Sequence, residues 1–152
     1  MSRFEVQVEH IPVVKLYKID YYTMQRKLTA AWDWQRIDLE DLYFFHPAWE
    51  DWDKIFQFVQ RKLPKYLPDQ FDCDNFSMYV SVMVAHYFKS NVCARVEGEA
   101  DFQDDKGPQR HKWNVFFDGD AFYQLESQRY TPPAMIADLS DPYYVPLEIE
   151  MG

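Results

Sequence analysis

Two cysteines in 152 residues, Cys73 and Cys93, are too few for a disulfide framework. A reduced environment follows as the simpler expectation. A single Cys73–Cys93 bridge would consume both thiols and remove any thiol chemistry. Basic residues are also in short supply, 16 against 25 acidic ones, for a formal net charge of −9. Such a field repels a phosphate backbone, so nucleic-acid binding is not expected. No apolar run reaches the length of a membrane span, and no basic start, apolar stretch and small-residue cleavage site opens the chain. The expectation is a cytoplasmic protein without a membrane partner. There is no Cys-x-x-Cys, His-Glu-x-x-His, glycine-rich phosphate loop or nucleophile-elbow serine, which leaves zinc, nucleotide and serine chemistry without support. Oligomeric state leaves no signature in the sequence.

What the chain does have is apolar and aromatic mass. Hydrophobic residues make up 47% and aromatics 18%, enough for a buried core in one domain spanning residues 1–152. Phe4, Val6 and Val8 alternate with Glu5, Gln7 and Glu9, the period of a strand, and Val13 to Ile19 reads as a second strand after Pro12. Trp52, Ile55, Phe56, Val59 and Leu63 follow helical spacing, with Pro47 suited to a first turn and Pro64 ending the run. A second helix begins at Asp72, which suits an N-cap, and carries Phe76, Tyr79, Val80, Met83, Val84, Tyr87 and Phe88 on one face. Asn91 suits a left-handed turn at its end. Val92 to Val96, Lys112 to Phe117 and Ala121 to Glu126 read as strands. Glu97 to Arg110 reads as a long polar loop, and Asp118-Gly119 as a tight turn. The proline-rich tail from Gln128 reads as an extended surface segment. The predicted fold class is α+β, with a cysteine-tipped helix packed on an antiparallel sheet.

The chemistry-bearing residues fall in a telling order. Cys73 follows the proposed cap, His111 opens a strand, and Glu126 lies at the far end of the hairpin closed by Asp118-Gly119. A lone cysteine before a helix is ordinarily a small buried residue. At a helix N-terminus beside an imidazole, however, a thiol is activated as a nucleophile. His111 supplies the base, and a carboxylate on its other ring nitrogen sets the tautomer. Asn114 and Gln128 are further candidates to orient His111. The backbone N–H of Cys73 and the side chain of Gln70 are candidates for an oxyanion hole. Asp72 and Asp74 flank the thiol with negative charge, so the reading requires Asp72 to face the helix N–H groups and Asp74 to turn elsewhere, toward a cation or a basic side chain. The reaction expected of this set is thiol attack on a peptide or other amide, with no cofactor required.

Asp72-Cys73-Asp74-Asn75-Phe76, His111-Lys112-Trp113-Asn114 and Leu125-Glu126-Ser127-Gln128 resemble Asp-Cys-Asp-Asp-Phe-Ala, His-Ala-Trp-Asn and Leu-Glu-Pro-Gln. Those are motifs of the papain-like cysteine protease domain attached to a fungal galactose-binding agglutinin, and of small bacterial and phage proteins similar to it. The resemblance covers about Tyr66 to Gln128. It implies a papain-like or transglutaminase-like fold, thiol protease activity, Cys73 as nucleophile, His111 as base and Glu126 as orienting acid. It also implies calcium as a candidate ligand, with Asp72 and Asp74 as its contacts. Asn75, Ser77, Lys112 and Ser127 depart from the motifs. Two competing readings stand beside the enzyme: a non-catalytic module that keeps the fold and binds a protein partner, and an assembly protein whose proline-rich tail docks on a neighbour.

Overall fold

A computed structural model describes residues 9–65, 67, 68, 70, 72–128 and 136–152. The strand expected around Phe4–Val8 and the tail prolines Pro132 and Pro133 lie outside these residues. The protein is a mixed α+β fold of three helices and two sheets.

The first strand, β1 (Leu16–Asp20), starts later than Val13 and leads straight into α1 (Tyr21–Ala31). Asp20 caps α1: its Oδ1 accepts the Thr23 N–H at 3.0 Å and its Oδ2 accepts the Thr23 hydroxyl at 2.9 Å. The helix buries Met24 and Leu28, an i, i+4 pair too sparse to announce it in sequence. Two short strands follow, β2 (Arg36–Leu39) and β3 (Tyr43–Pro47). Pro47 closes β3 instead of opening a helix, and Ala48 caps α2 (Trp49–Gln60). β1 and β3 pair antiparallel as a separate two-stranded sheet.

The remaining strands are β4 (Cys93–Ala100), β5 (Gln109–Phe117), β6 (Phe122–Leu125), β7 (Ile136–Asp138) and β8 (Tyr144–Met151). With β2 they form a six-stranded sheet in the order β2-β8-β4-β5-β6-β7. Its pairings are antiparallel except β2–β8, which is parallel. Two expectations are corrected here. The predicted loop Glu97–Arg110 shrinks to residues 101–108, because Glu97 and Glu99 alternate with the buried Gly98 and Ala100 as strand residues do. Asp101 and Asp104 in that loop accept the N–H groups of Gln103 and Lys106, so they build turns. The described part of the tail, from Ile136 on, does not wrap the surface, since β8 lies inside the sheet between β2 and β4. Pro146 is tolerated there because the β4–β8 register slips between Glu97 and Gly98.

The helix α3 (Cys73–Phe88) packs on β5 and β4 and buries Phe76, Val80, Met83, Val84 and Phe88. Its left-handed end is Lys89, with φ 59°, and not Asn91. Asn91 instead holds β3: its Oδ1 accepts the Phe45 N–H at 2.8 Å and its Nδ2 donates to Tyr43 O at 3.0 Å. The core is aromatic. Trp52, Phe56 and Phe116 pack ring on ring, and Trp52 Nε1 donates to Phe117 O at 3.0 Å.

Candidate active site

Cys73 is the first residue of α3 and is half-buried. Asp72 and Asn75 form a capping box around it, with Asn75 Oδ1 accepting the Asp72 N–H at 3.2 Å. An asparagine at position 75 therefore performs a capping task. Its side chain is tied to the backbone at the helix start, close to the sulfur. Asp74 turns toward Lys112, with Nζ 3.2 Å from Oδ2, while Asp74 Oδ1 accepts from Cys73 Sγ at 3.5 Å. Asp74 thus reaches a basic side chain, Lys112, the neighbour of His111, but with its other oxygen it stays against the thiol instead of turning away from it.

His111 is the third residue of β5 and is buried, as is Glu126 just past β6. Its Nε2–H donates to Glu126 Oε2 at 2.7 Å. The route to this pair differs from the expected one. The hairpin turn is a four-residue loop, residues 118–121, in which Asp118 Oδ1 accepts the N–H groups of Asp120 and Ala121. Phe117 therefore pairs with Phe122 and Asn114 with Leu125, two positions out of the register a two-residue turn would give. His111 and Glu126 meet on the diagonal, within reach of two long side chains.

The remaining ring nitrogen, Nδ1, is free of that carboxylate, and Cys73 lies near enough for its sulfur to raise the basicity of the imidazole. Burial on its own would depress the basicity of His111. The interaction with Cys73 and the hydrogen bond to Glu126, with the charges of both, overcome it and push the pKa up to about 9. Three rings surround the imidazole. Trp113 stacks on it at 5.8 Å and 20°, Phe102 meets it edge-on at 5.0 Å, and Tyr144 lies 6.4 Å away. Phe102 comes from the 101–108 loop, so that loop covers the imidazole.

Glu126 receives two further donors. Tyr144 Oη donates to Oε2 at 2.9 Å, and the Gln128 N–H donates to Oε1 at 3.1 Å. Gln128 thus orients the acid and not the histidine. Asn114 does not orient His111 either. Its Nδ2 donates to Ser77 O at 2.9 Å, Ser81 Oγ at 3.0 Å and Ala94 O at 3.0 Å, and its Oδ1 accepts from Ser127 Oγ. It is a buried clasp between α3, β4 and the residue after Glu126. One residue further along β5 than Trp113, it points away from the His111–Trp113 side of the strand. Gln70 is exposed, and nothing ties its side chain to the sulfur. Tyr144 and Ser127 were missed in sequence. Tyr144 is 18 residues beyond Glu126 on a strand that the prolines disguised.

Cys93 lies in the core, where burial pushes its thiol well up. Both cysteines are free, which removes the bridge between them. Asp72, Cys73 and Asp74 offer ligand atoms within 4.8 Å of one another. The set does not fit calcium. A hard cation takes about 6–8 oxygen ligands, whereas here a thiol sits between one carboxylate that caps α3 and another held by Lys112. A polar cavity of about 250 Å³ adjoins the site through Asp74 and Lys112, with Arg36, Arg95, Glu148 and Glu150 along its wall. Among the described residues no helix is long and apolar enough to cross a membrane.

No family model matches this chain, and neither does any curated protein. Among solved structures it is similar to PSL1a in complex with E64, at 20% identity over 88% of this chain and 51% of that one, with a TM-score of 0.63. It is also similar to Polyporus squamosus lectin bound to the human-type influenza-binding epitope Neu5Acα2-6Galβ1-4GlcNAc, at 18% identity over 75% of this chain and 44% of that one, with a TM-score of 0.53. The chain spans about half the length of the structures it matches. These neighbours are lectin structures, and that corrects the vocabulary the sequence motifs suggested: the terms hydrolase, thiol protease and papain-like are not carried by the solved structures. What the likeness carries is an α+β fold held in common with fungal lectin structures.

Proposed function

We propose that the protein acts through Cys73 as a thiol nucleophile in acyl transfer from an amide. The observation behind this reading is the His111–Glu126 hydrogen bond of 2.7 Å, which occupies Nε2 and leaves Nδ1 of the same imidazole as the free ring nitrogen, with Cys73, a half-buried thiol at a helix N-terminus, near enough to raise its basicity. In the proposed sequence, His111 takes the thiol proton and sulfur attacks the carbonyl carbon. The C–N bond breaks as His111 returns that proton to the leaving amine, and a thioester remains on Cys73. An acceptor, water or a second amine, then gives its proton to His111 and attacks the thioester, and the C–S bond breaks. Glu126 keeps Nε2 protonated, so that Nδ1 stays the basic atom. The Cys73 N–H at the start of α3 is the candidate donor to the developing oxyanion.

Acetylation by p-nitrophenyl acetate tests this. The expected result is a burst of nitrophenolate and an acetyl mass gain on the peptide containing Cys73, both lost in Cys73→Ala and His111→Ala. No acetyl adduct, or equal acetylation of the His111→Ala variant, contradicts it.

The second reading is a binding module that keeps the fold without turnover, and the comparisons support it better than they support the enzyme. One neighbour holds a bound sugar epitope and the other E64. Binding of the same trisaccharide, unchanged by Cys73→Ala, would support the module. Protection of Cys73 from iodoacetamide by E64 would instead put ligand contact at the thiol.

A further inference from the structure

We propose that Tyr144 is a positioning residue that acts on His111 through the Glu126 carboxylate. The inference rests on the reading of His111 as the base. Oε2 of Glu126 is shared by two donors, His111 Nε2–H at 2.7 Å and Tyr144 Oη at 2.9 Å, while Oε1 takes the Gln128 N–H at 3.1 Å. A buried carboxylate with three donors on two oxygens cannot turn about its terminal bond without losing one of them, and each loss inside a protein is expensive. Tyr144 is therefore the third point that fixes the plane of the carboxylate, and with it the direction from which Nε2 is held.

Tyr144 is itself held. Its ring meets Trp113 at 5.4 Å and 73°. Its carbonyl accepts from Gln124 Nε2 at 3.2 Å, and Gln124 Oε1 accepts from Trp113 Nε1 at 2.8 Å. Trp113 in turn stacks on His111. The phenol and the imidazole are thus two ends of one closed circuit, Tyr144–Glu126–His111–Trp113–Gln124–Tyr144. The titratable groups facing His111 are Cys73 from α3, Glu126 from beyond β6 and Tyr144 from β8, while Phe102 and Trp113 complete its surroundings without charge.

The test follows the His111 ring protons by NMR through a pH titration. Tyr144→Phe removes one oxygen and keeps the packed ring. It leaves the carboxylate held at two points instead of three, so Oε2 is held less firmly against Nε2, and the His111 midpoint should fall by about half a unit or more. In the Glu126→Gln background the same Tyr144→Phe change should move the midpoint no further. A midpoint unmoved by Tyr144→Phe, or an equal movement in the Glu126→Gln background, overturns the inference, since a purely structural tyrosine acts whether or not residue 126 is charged. The titration does not use thiol reactivity. An inert Cys73 would sink the proposed function and leave this result readable on its own.

Discussion

Lys112 and Asp74 form an ion pair, Nζ to Oδ2 at 3.2 Å, between the neighbour of His111 and the neighbour of Cys73. The lysine that departs from the sequence motifs thereby offsets the charge that most opposes a negative sulfur. Removing it in Lys112→Ala leaves Asp74 uncompensated beside Cys73. Both side chains are partly exposed, so solvent screens the effect and the change is modest. Alkylation of Cys73 by iodoacetamide should slow by roughly 2–5-fold, and the double change Lys112→Ala with Asp74→Asn should restore the rate.

The raised pKa of His111 makes stability depend on pH. Its folded value of about 9 stands above the ordinary 6.5, so the folded protein binds this proton more tightly than the unfolded chain. The resulting stabilisation is fully present below pH 6.5 and is lost as pH rises through about 9. The thermal midpoint should decline across that window, and the decline should flatten in His111→Asn. Cys73→Ala should lower the titration midpoint of His111, because one of the partners that holds its proton is gone. An unchanged pH profile in His111→Asn would contradict the assignment.

Asn114 should behave as a structural residue. Asn114→Ala strips donors from Ser77 O, Ser81 Oγ and Ala94 O, and leaves the buried Ser127 hydroxyl without its acceptor. The expected loss is about 3 kcal/mol in denaturant unfolding. The His111 titration should stay close to wild type in whatever fraction folds.

Gly98 is the cross-strand partner of His111. A Cβ there would lie 2.2 Å from Val145 O and 2.7 Å from the outer ring of Trp113. The first contact is backbone and cannot yield by rotating, so Gly98→Ala must push β8 away or tilt the indole under His111. Destabilisation of about 1–3 kcal/mol is expected, together with a slower reaction at Cys73. Wild-type stability in Gly98→Ala would show that β8 has room to spare.

The three residues of the candidate site are legible in the sequence because each carries a local signal: a cap before Cys73, a strand at His111, and an acid after a hairpin at Glu126. The apolar face of α3 was legible for the same reason, since its period repeats over four turns. The tail was not. Pro142 and Pro146 argue against a central strand, and β8 exists only because the register slips opposite Gly98. With β8 hidden, Tyr144 had no visible path to Glu126. Asn114 was misassigned because sequence order placed it near His111, whereas the alternation of β5 turns the two side chains to opposite sides. The register of the β5–β6 hairpin was misjudged because Asp118 builds a longer loop with its own carboxylate than Asp118-Gly119 alone suggests.

The relative alkylation rates of the two cysteines test the central claim most directly. Wild-type protein is treated with limiting iodoacetamide at mildly acidic pH, and the peptides carrying Cys73 and Cys93 are quantified by mass spectrometry. The account predicts fast modification of Cys73, nearly none of Cys93, and a Cys73 rate that drops by about tenfold or more in His111→Ala. Equal slow labelling of both thiols, or a Cys73 rate indifferent to His111, would contradict it.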